Sequence, residues 1–322
     1  MRVVAIVNAL TGALCVEEMV KQGDEVVAVV TDPGDPNPWM DPTWSVKAMA
    51  DRYYLPVYQP PPREVNKPAF LDAMRRLKPD LLVAMHYGVI FKRPLLDLFP
   101  KGCVNIHPTR LPRGQGKTPS CWHMLMGDQQ NWITLHWIDE GIDTGEVIAQ
   151  AAVDITAAET GHDSTIKLLY AGHRMFAENL PLLRAGTAAR IPQDQIPGVE
   201  KLYYRWEPHY ARIPWDQPAE KVALHIRALC HPKDIRTYSG CAYTYLGGRR
   251  LSVWSAKVFK ESFSVEGTDP PGKILAILGE GFLVATSEGA ILLTDVDSDG
   301  EAQEGLEGVL QFLKIGLPAI LN

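Results

Sequence analysis

The chain has 322 residues, 46% of them hydrophobic and 22% charged, and its formal net charge is −6. That length accommodates two domains, each with its own core, and the composition is that of an ordinary globular protein. The acidic balance argues against a polyanion as the main partner, because a nucleic-acid-binding face needs cations.

The five cysteines are Cys15, Cys103, Cys121, Cys230 and Cys241, an odd number with no CxxC pair. Neither a disulfide framework nor a structural zinc site is expected, and no metal. Reduced thiols fit a cytoplasmic protein. The opening MRVVAIVNAL lacks the long apolar core of a secretion signal. No run reaches the roughly 18 apolar residues of a membrane helix, so no membrane partner is expected.

In chain order, residues 3–7 form an apolar run that predicts a strand buried on both faces. Residues 12–22 have helical spacing, and residues 25–31 (EVVAVVT) predict a second buried strand. Five residues of the 32–42 stretch are Pro or Gly, which predicts a loop. A helix over 45–53, a short strand over 56–58, a helix over 67–77 and a strong strand over 81–85 follow. A helix over 92–98 and a strand over 102–107 complete the series. Apolar strands alternating with helices predict a parallel, Rossmann-like sheet covered on both faces. Ligands collect at the carboxyl ends of such strands. Asn105 and His107 stand at one such end, and His86, Tyr87 and Gly88 at another.

A Pro-, Gly-, Tyr- and Trp-rich stretch over 192–218 reads as a connection, with the linker proper over 193–210. A helix is expected over 219–229. Short strands are expected over 241–258, 272–277, 281–286 and 289–296, with a hairpin turn at Gly247-Gly248. Several short strands with glycine turns predict a small open barrel. The expected division is therefore a catalytic domain over 1–192 and a barrel domain over 211–322.

The chemistry-bearing segment runs VNIHPTRLPRGQGKTPSCWHMLMGDQQNWITLHWIDEGIDTGEVIAQ, residues 104–150. Residues i and i+2 of a strand share a face, so Asn105 and His107 can look into one cavity. Asp143, flanked by Gly141 and Gly145, can be brought to it by the fold. An amide donor, an imidazole and a carboxylate suit acyl or one-carbon transfer. Taken singly, each has a bland reading: a strand-end Asn, a packed loop His, a turn Asp. His123, His136 and His162 do not have zinc spacing and read as structural, and Trp122, Trp132 and Trp137 read as packing. Gly12 lacks a GxGxxG series, so no dinucleotide is implied.

Asn105-Ile106-His107, Leu111-Pro112 with Arg113 and Gly116, and Gly141-Ile142-Asp143-Thr144-Gly145 resemble the folate-dependent formyltransferases. The resemblance continues in Ile213-Pro214-Trp215, Pro218-Ala219-Glu220, Ile226-Arg227-Ala228 and Ala242-Tyr243-Thr244-Tyr245, which look like that family's small OB-like barrel. It implies that 10-formyltetrahydrofolate donates a formyl group to an amine, with Asn105, His107 and Asp143 as the catalytic set. It also implies a donor cleft lined by Met85, His86, Tyr87, Gly88, Val89, Ile90, Leu111, Pro112, Asp139, Glu140 and Gly141.

Two departures bear on the acceptor. His107 is followed by Pro108, and the loop TRLPRGQGKTPS (109–120) differs from that usual in the tRNA-modifying members. Residues 206–322 carry 11 Lys and Arg against 15 Asp and Glu, a net of −4. The expected acceptor is therefore a small-molecule amine, such as an amino-sugar nucleotide or a hydroxyornithine-like precursor. Methionyl-tRNA formyltransferase is the alternative, with the strip Arg249, Arg250, Lys257 and Lys260 as its cationic surface. Hydrolysis of 10-formyltetrahydrofolate is a further alternative. The sequence leaves monomer and homodimer open.

Overall fold

A computed structural model describes residues 1–35, 44–116, 121–203, 209–233, 241–260, 269–279 and 281–298. Part of the expected 32–42 loop, positions 117–120 of the loop after His107, part of the 193–210 linker and the end of the expected barrel lie outside these residues. The chain divides into two compact units. The first comprises residues 1–118, 130–154 and 166–206, and the second residues 119–129, 155–165 and 207–322.

The first unit is built on a seven-stranded sheet of order β3-β2-β1-β4-β5-β7-β8. Its strands are β1 (Arg2–Val7), β2 (Glu25–Val30), β3 (Val57–Tyr58), β4 (Leu81–Met85), β5 (Cys103–His107), β7 (Gln130–Trp137) and β8 (Val147–Asp154). Helices α1 (Ala9–Lys21), α2 (Val46–Arg52), α3 (Pro68–Arg76) and α4 (Arg93–Leu96) lie between the first five strands. These helices and strands fall within a few residues of the sequence expectations.

Side-chain alternation sorts each strand onto two cores. Val3, Ala5 and Val7 of β1, Leu81, Val83 and Met85 of β4, and Val104 and Ile106 of β5 join one cluster with α1, α2 and residues 168–183. Val4, Ile6, Leu82, Ala84 and Cys103 join the other with residues of α3 and α4. Both faces of the central strands are dry, so these strands read as unbroken apolar runs. Cys103, Asn105 and His107 share a strand face by the same alternation. The second core therefore gives way to polar side chains at the carboxyl end of β5.

The sheet is parallel from β3 through β5 and then turns antiparallel. The expected parallel sheet is found in all five strands the sequence pointed to, and two further strands, β7 and β8, extend it. The last two form a β7–β8 hairpin, and β8 is an edge strand with a half-exposed pattern, as an antiparallel edge allows. Helix α6 (Gly161–Ala185) follows. Thr160 and Asp163 cap its start reciprocally: the Asp163 amide donates to Thr160 Oγ1 at 3.2 Å, and the Thr160 amide donates to Asp163 Oδ2 at 2.9 Å. Leu168, Ala171, Met175, Phe176, Leu180 and Leu183 form its buried stripe.

Residues 193–203, expected in the linker, belong to the first unit. A 3-10 turn (Gln193–Gln195) leads to β9 (Leu202–Tyr203), which pairs in parallel with β6 (Arg113–Gln115).

The second unit holds α5 (Trp122–Leu125), α7 (Ala219–Ala228) and an antiparallel sheet of order β10-β11-β14-β13-β12. Its strands are β10 (Ala242–Leu246), β11 (Arg249–Phe259), β12 (Ile274–Leu278), β13 (Gly281–Ala285) and β14 (Ala290–Ser298). Gly247 and Gly248 turn β10 into β11 with φ of 57° and 81°. A tight hairpin of the type I′ kind needs positive φ at both central residues. Val222 and Ile226 of α7 pack with Tyr243, Val253, Phe282 and Ile291 of the sheet. Of the cysteines, Cys15, Cys103, Cys121 and Cys241 are buried and Cys230 is half-buried, and all five are free thiols.

Phe176 is fully buried in the first core. Phe176→Ala is expected to cost that unit about 3–5 kcal/mol through lost transfer energy and a residual cavity. Urea denaturation followed by hydrogen exchange of β1 and β4 amides checks this, with the midpoint falling.

Candidate active site

Antiparallel pairing places His136 directly opposite Asn105, and Thr134 opposite His107. The β7–β8 connection then carries Asp143 back to the same place. Its carboxylate lies between two imidazoles: Oδ2 is 3.6 Å from His107 Nδ1, and Oδ1 is 3.7 Å from His136 Nε2. Both distances exceed a hydrogen bond but suit an ion pair when an imidazole is charged. The two rings stand edge to face with centroids 6.5 Å apart.

The tautomers follow from the acceptors. His107 Nε2 lies 2.8 Å from the Gly114 carbonyl, which only accepts, so Nε2 carries a proton and Nδ1 faces Asp143. His136 Nδ1 lies 2.7 Å from the Trp137 carbonyl, so it too carries a proton. Burial pushes the His136 pKa down to about 4, against an upward pull from Asp143 and a further downward push from His107. His136 is therefore neutral at pH 7, and its Nε2 lone pair accepts from Asn105 Nδ2 at 3.0 Å. One amide N–H of Asn105 is thus engaged. The second stays available to an oxygen that gains charge.

Asp143 adopts φ +52°, a left-handed conformation that Asp tolerates better than most residues. The Gly116 amide donates to its Oδ2 at 3.0 Å. The loop is braced by Asp139, whose Oδ1 accepts from the Gly141 amide at 3.0 Å and from Thr144 Oγ1 at 2.6 Å. Gly145 has no alternative: a Cβ there would lie 1.8 Å from the Trp137 carbonyl oxygen.

The structure thus brings Asn105, His107 and Asp143 together, and it adds His136. Sequence spacing sets that histidine aside, because its separation from the other histidines does not fit a metal-ligand pattern. The usable signal was its place in the apolar run WITLHW, beside the strand that carries Asn105 and His107.

The other expected residues fall into two groups. His86, Tyr87, Gly88, Val89 and Ile90 follow β4, which pairs with β5 in the register Ala84↔Asn105. His86 adopts φ +52° and is exposed, as are Gly88 and Ile90, and Tyr87 and Val89 pack on the cluster beside Cys103. Burial and the nearby Asp32 raise the Tyr87 pKa to about 12. Glu140 and Gly141 are exposed. By contrast Met85, Leu111 and Pro112 are buried. Leu111 is tied down by its amide to Thr134 Oγ1 at 3.2 Å and by its carbonyl from Gln150 Nε2 at 2.9 Å, and a cis bond joins it to Pro112. Ile90, 54% exposed, and Ile142, 40% exposed, supply apolar surface on the two segments beside the polar set. Among the described residues, no group of three or more His, Cys, Asp or Glu is arranged around a metal position, and no helix is long and apolar enough to cross a membrane.

Residues 1–180 match the family profile described as formyl transferase, and residues 205–311 match the formyl transferase C-terminal domain. The chain belongs to the formyl transferase family. It is an enzyme of the folate-dependent N-formyltransferase class. Methionyl-tRNA formyltransferase of Desulforamulus reducens is 30% identical, with 96% of this chain and 95% of the relative covered. The protein of the same name from Symbiobacterium thermophilum is 34% identical over 90% of this chain and 86% of its own. Among solved structures, an N-formyltransferase of Helicobacter canadensis, in complex with folinic acid and dTDP-3-aminofucose, superposes with a TM-score of 0.66. It shares 18% identity, covering 91% of this chain and 98% of its own.

The buried, neutral His136 makes stability depend on pH. Its folded pKa, about 4, lies below the ordinary 6.5. As pH falls through 6.5 the unfolded chain takes up a proton that the folded site refuses until about pH 4. The contribution of His136 to stability is therefore lost between pH 6.5 and 4. His136→Gln keeps an acceptor for Asn105 but cannot titrate. Its urea midpoint is expected to decline less steeply over that window, and equal slopes would show that His136 is not the group titrating.

Proposed function

We propose that this enzyme transfers the formyl group of 10-formyltetrahydrofolate to the amine of a small molecule, with Asn105, His107 and Asp143 as the catalytic set. The donor occupies the cleft bordered by residues 86–90 and 139–143, where Ile90 and Ile142 offer apolar faces to a flat ring and exposed backbone offers polar partners. The amine attacks the formyl carbon, and a new C–N bond forms. The carbonyl oxygen gains negative charge and meets the free N–H of Asn105. The amine proton passes to His107 Nδ1, beside Asp143. The C–N bond to the folate nitrogen then breaks, and that nitrogen takes up a proton.

The choice of a small acceptor rests on how the cations of the second unit are used. Lys233 bridges Asp295 at 2.7 Å and Asp297 at 2.9 Å, and Lys273 pairs with Asp269. Arg227 donates to the Thr156 and Ala157 carbonyls. Arg212 and Arg250 lie over the rings of Tyr245 and Tyr243, with 5.9 Å and 4.2 Å to the centroids. Arg249 and Lys257 have partners within the fold as well. Each phosphate contact to a tRNA needs a cation, and in a unit whose net charge is already negative these are engaged internally.

The second reading, transfer to methionyl-tRNA, is favoured by relatives of that name that are 30–34% identical along nearly the whole chain. The two readings separate in one assay. The enzyme is incubated with 10-formyltetrahydrofolate and either charged initiator tRNA or a panel of amino-sugar nucleotides and hydroxylated ornithine. Products are read by mass spectrometry for the gain of one formyl. Turnover on a small amine with little on tRNA is expected; fast turnover on tRNA and none on the amines selects the second reading. Release of formate without any formylated product would instead indicate hydrolysis.

His107→Ala and Asp143→Asn are each expected to lower turnover at least about 100-fold, the size typical of lost acid–base or oxyanion assistance. Circular dichroism should remain native. Activity within threefold of wild type in both variants would remove these residues from the catalytic set.

A further inference from the structure

We infer that Gln193 and Gln115 form an amide clamp that positions the Asp143 carboxylate, which makes the segment after the first catalytic core part of the active site. The inference rests on the formyl-transfer reading for its consequence in turnover, but not for its geometry.

Gln193 Nε2 has two N–H groups and uses both on the Asp143 loop. One goes to the Asp143 carbonyl at 2.7 Å and the other to the Gly145 carbonyl at 2.8 Å. Two carbonyls two residues apart are thereby held by one amide. Gln115 Nε2 donates to the same Asp143 carbonyl at 3.1 Å and to Gln193 Oε1 at 2.9 Å. The pair forms a closed ring of donors and acceptors around a single peptide.

The orientation of Gln115 is dictated by this ring. Its side chain is 1% exposed, and its Oε1 is buried with no hydrogen-bond partner among the described residues. An unpaired buried acceptor is destabilising. Rotating the amide by half a turn would face its oxygen toward the Asp143 carbonyl and Gln193 Oε1, two acceptors, and lose both bonds. The fold accepts the lesser penalty and keeps both donors on the clamp.

The clamp matters because Asp143 is held in a demanding conformation. Its φ of +52° is left-handed, a region that L residues seldom enter and that Asp holds more readily than most. Among the described residues, the carboxylate itself is fixed by one hydrogen bond, from the Gly116 amide. Gly116 follows Gln115 directly, so clamp and carboxylate are coupled through one peptide unit. A loosened Asp143 carbonyl would let the carboxylate swing away from His107 and from the Gly116 amide together. Gln193 and Gln115 touch no reacting atom in this scheme and are positioning residues.

The test reads the Gly116 amide, which reports the carboxylate directly and needs no ligand. Hydrogen exchange by NMR is measured on the full chain for wild type, Gln193→Ala, Gln193→Glu and, as calibration, Asp143→Ala. Exchange at Gly116 is expected to quicken at least about tenfold in both Gln193 variants and in Asp143→Ala, while Ile106 and Leu135 of the β5–β7 ladder stay within threefold. Should Gln193→Ala also loosen the ladder, Gln193→Glu, which keeps the size and removes both donors, decides. Unchanged exchange at Gly116 in Gln193→Glu, with fast exchange in Asp143→Ala, overturns the clamp. In turnover with 10-formyltetrahydrofolate and a small-amine acceptor, kcat should fall at least about tenfold with the donor's KM within threefold. A rise in KM at constant kcat contradicts a positioning role. Calorimetry with 5-formyltetrahydrofolate separates the two readings: wild type that binds none of this probe defeats the formyl-transfer reading and leaves the exchange result to judge the clamp.

Discussion

The antiparallel pairing of β5 with β7 is the constraint on which the site depends. Parallel strands alone would have left Asn105 and His107 at a sheet end with no partner from the neighbouring strand. The reversal sets His136 opposite Asn105 and makes the β7–β8 connection return to the same edge with Asp143. Register sets the geometry of the polar cluster. A slip by one residue would turn Asn105 and His107 onto the opposite face and into the core that contains Val104 and Ile106. The apolar residues of β5 and β7 hold that register, because they are dry on the side away from the polar cluster.

Polar groups in such a place must be satisfied by one another, since water is largely excluded. His136 is neutral and spends both nitrogens on fixed partners. His107 spends one nitrogen on Gly114 and keeps the other toward Asp143. The cluster therefore contains one group committed to structure and one left open to proton transfer. That division is set by which carbonyl each imidazole meets, and thus by the backbone path around Gly114 and Trp137.

Much of this was legible in the sequence, for physical reasons that differ by element. The first five strands are apolar on both faces, and such runs announce themselves. The glycine pair between β10 and β11 marks its turn because few other residues tolerate positive φ twice in succession. Asn105, His107 and Asp143 stood out by residue type and neighbours. His136 did not, because a histidine inside an apolar strand gives no local sign of what it faces; only cross-strand register sets it against Asn105. The hairpin of β7 and β8 was hidden for a similar reason. Whether an edge strand runs parallel or antiparallel depends on the connection before it, and no local pattern encodes that. Residues 193–203 read as a linker because their composition is that of a loop, while the Gln193 side-chain amide and one short strand pair tie them to the first unit.

The distribution of sulfur has a practical side. Four of the five thiols are buried, and the remaining one, Cys230, is half-buried with its pKa raised by burial and by the nearby Asp163, Asp295 and Cys241. Burial raises the pKa of Cys15, Cys103 and Cys230, which keeps the reactive thiolate scarce there, and Cys121 and Cys241 are buried. Native protein should therefore be slow toward maleimides and iodoacetamide. A cysteine introduced at an exposed position such as Ile90 would then outcompete the native thiols for a fluorophore without a cysteine-free background, placing a reporter on the segment that follows β4.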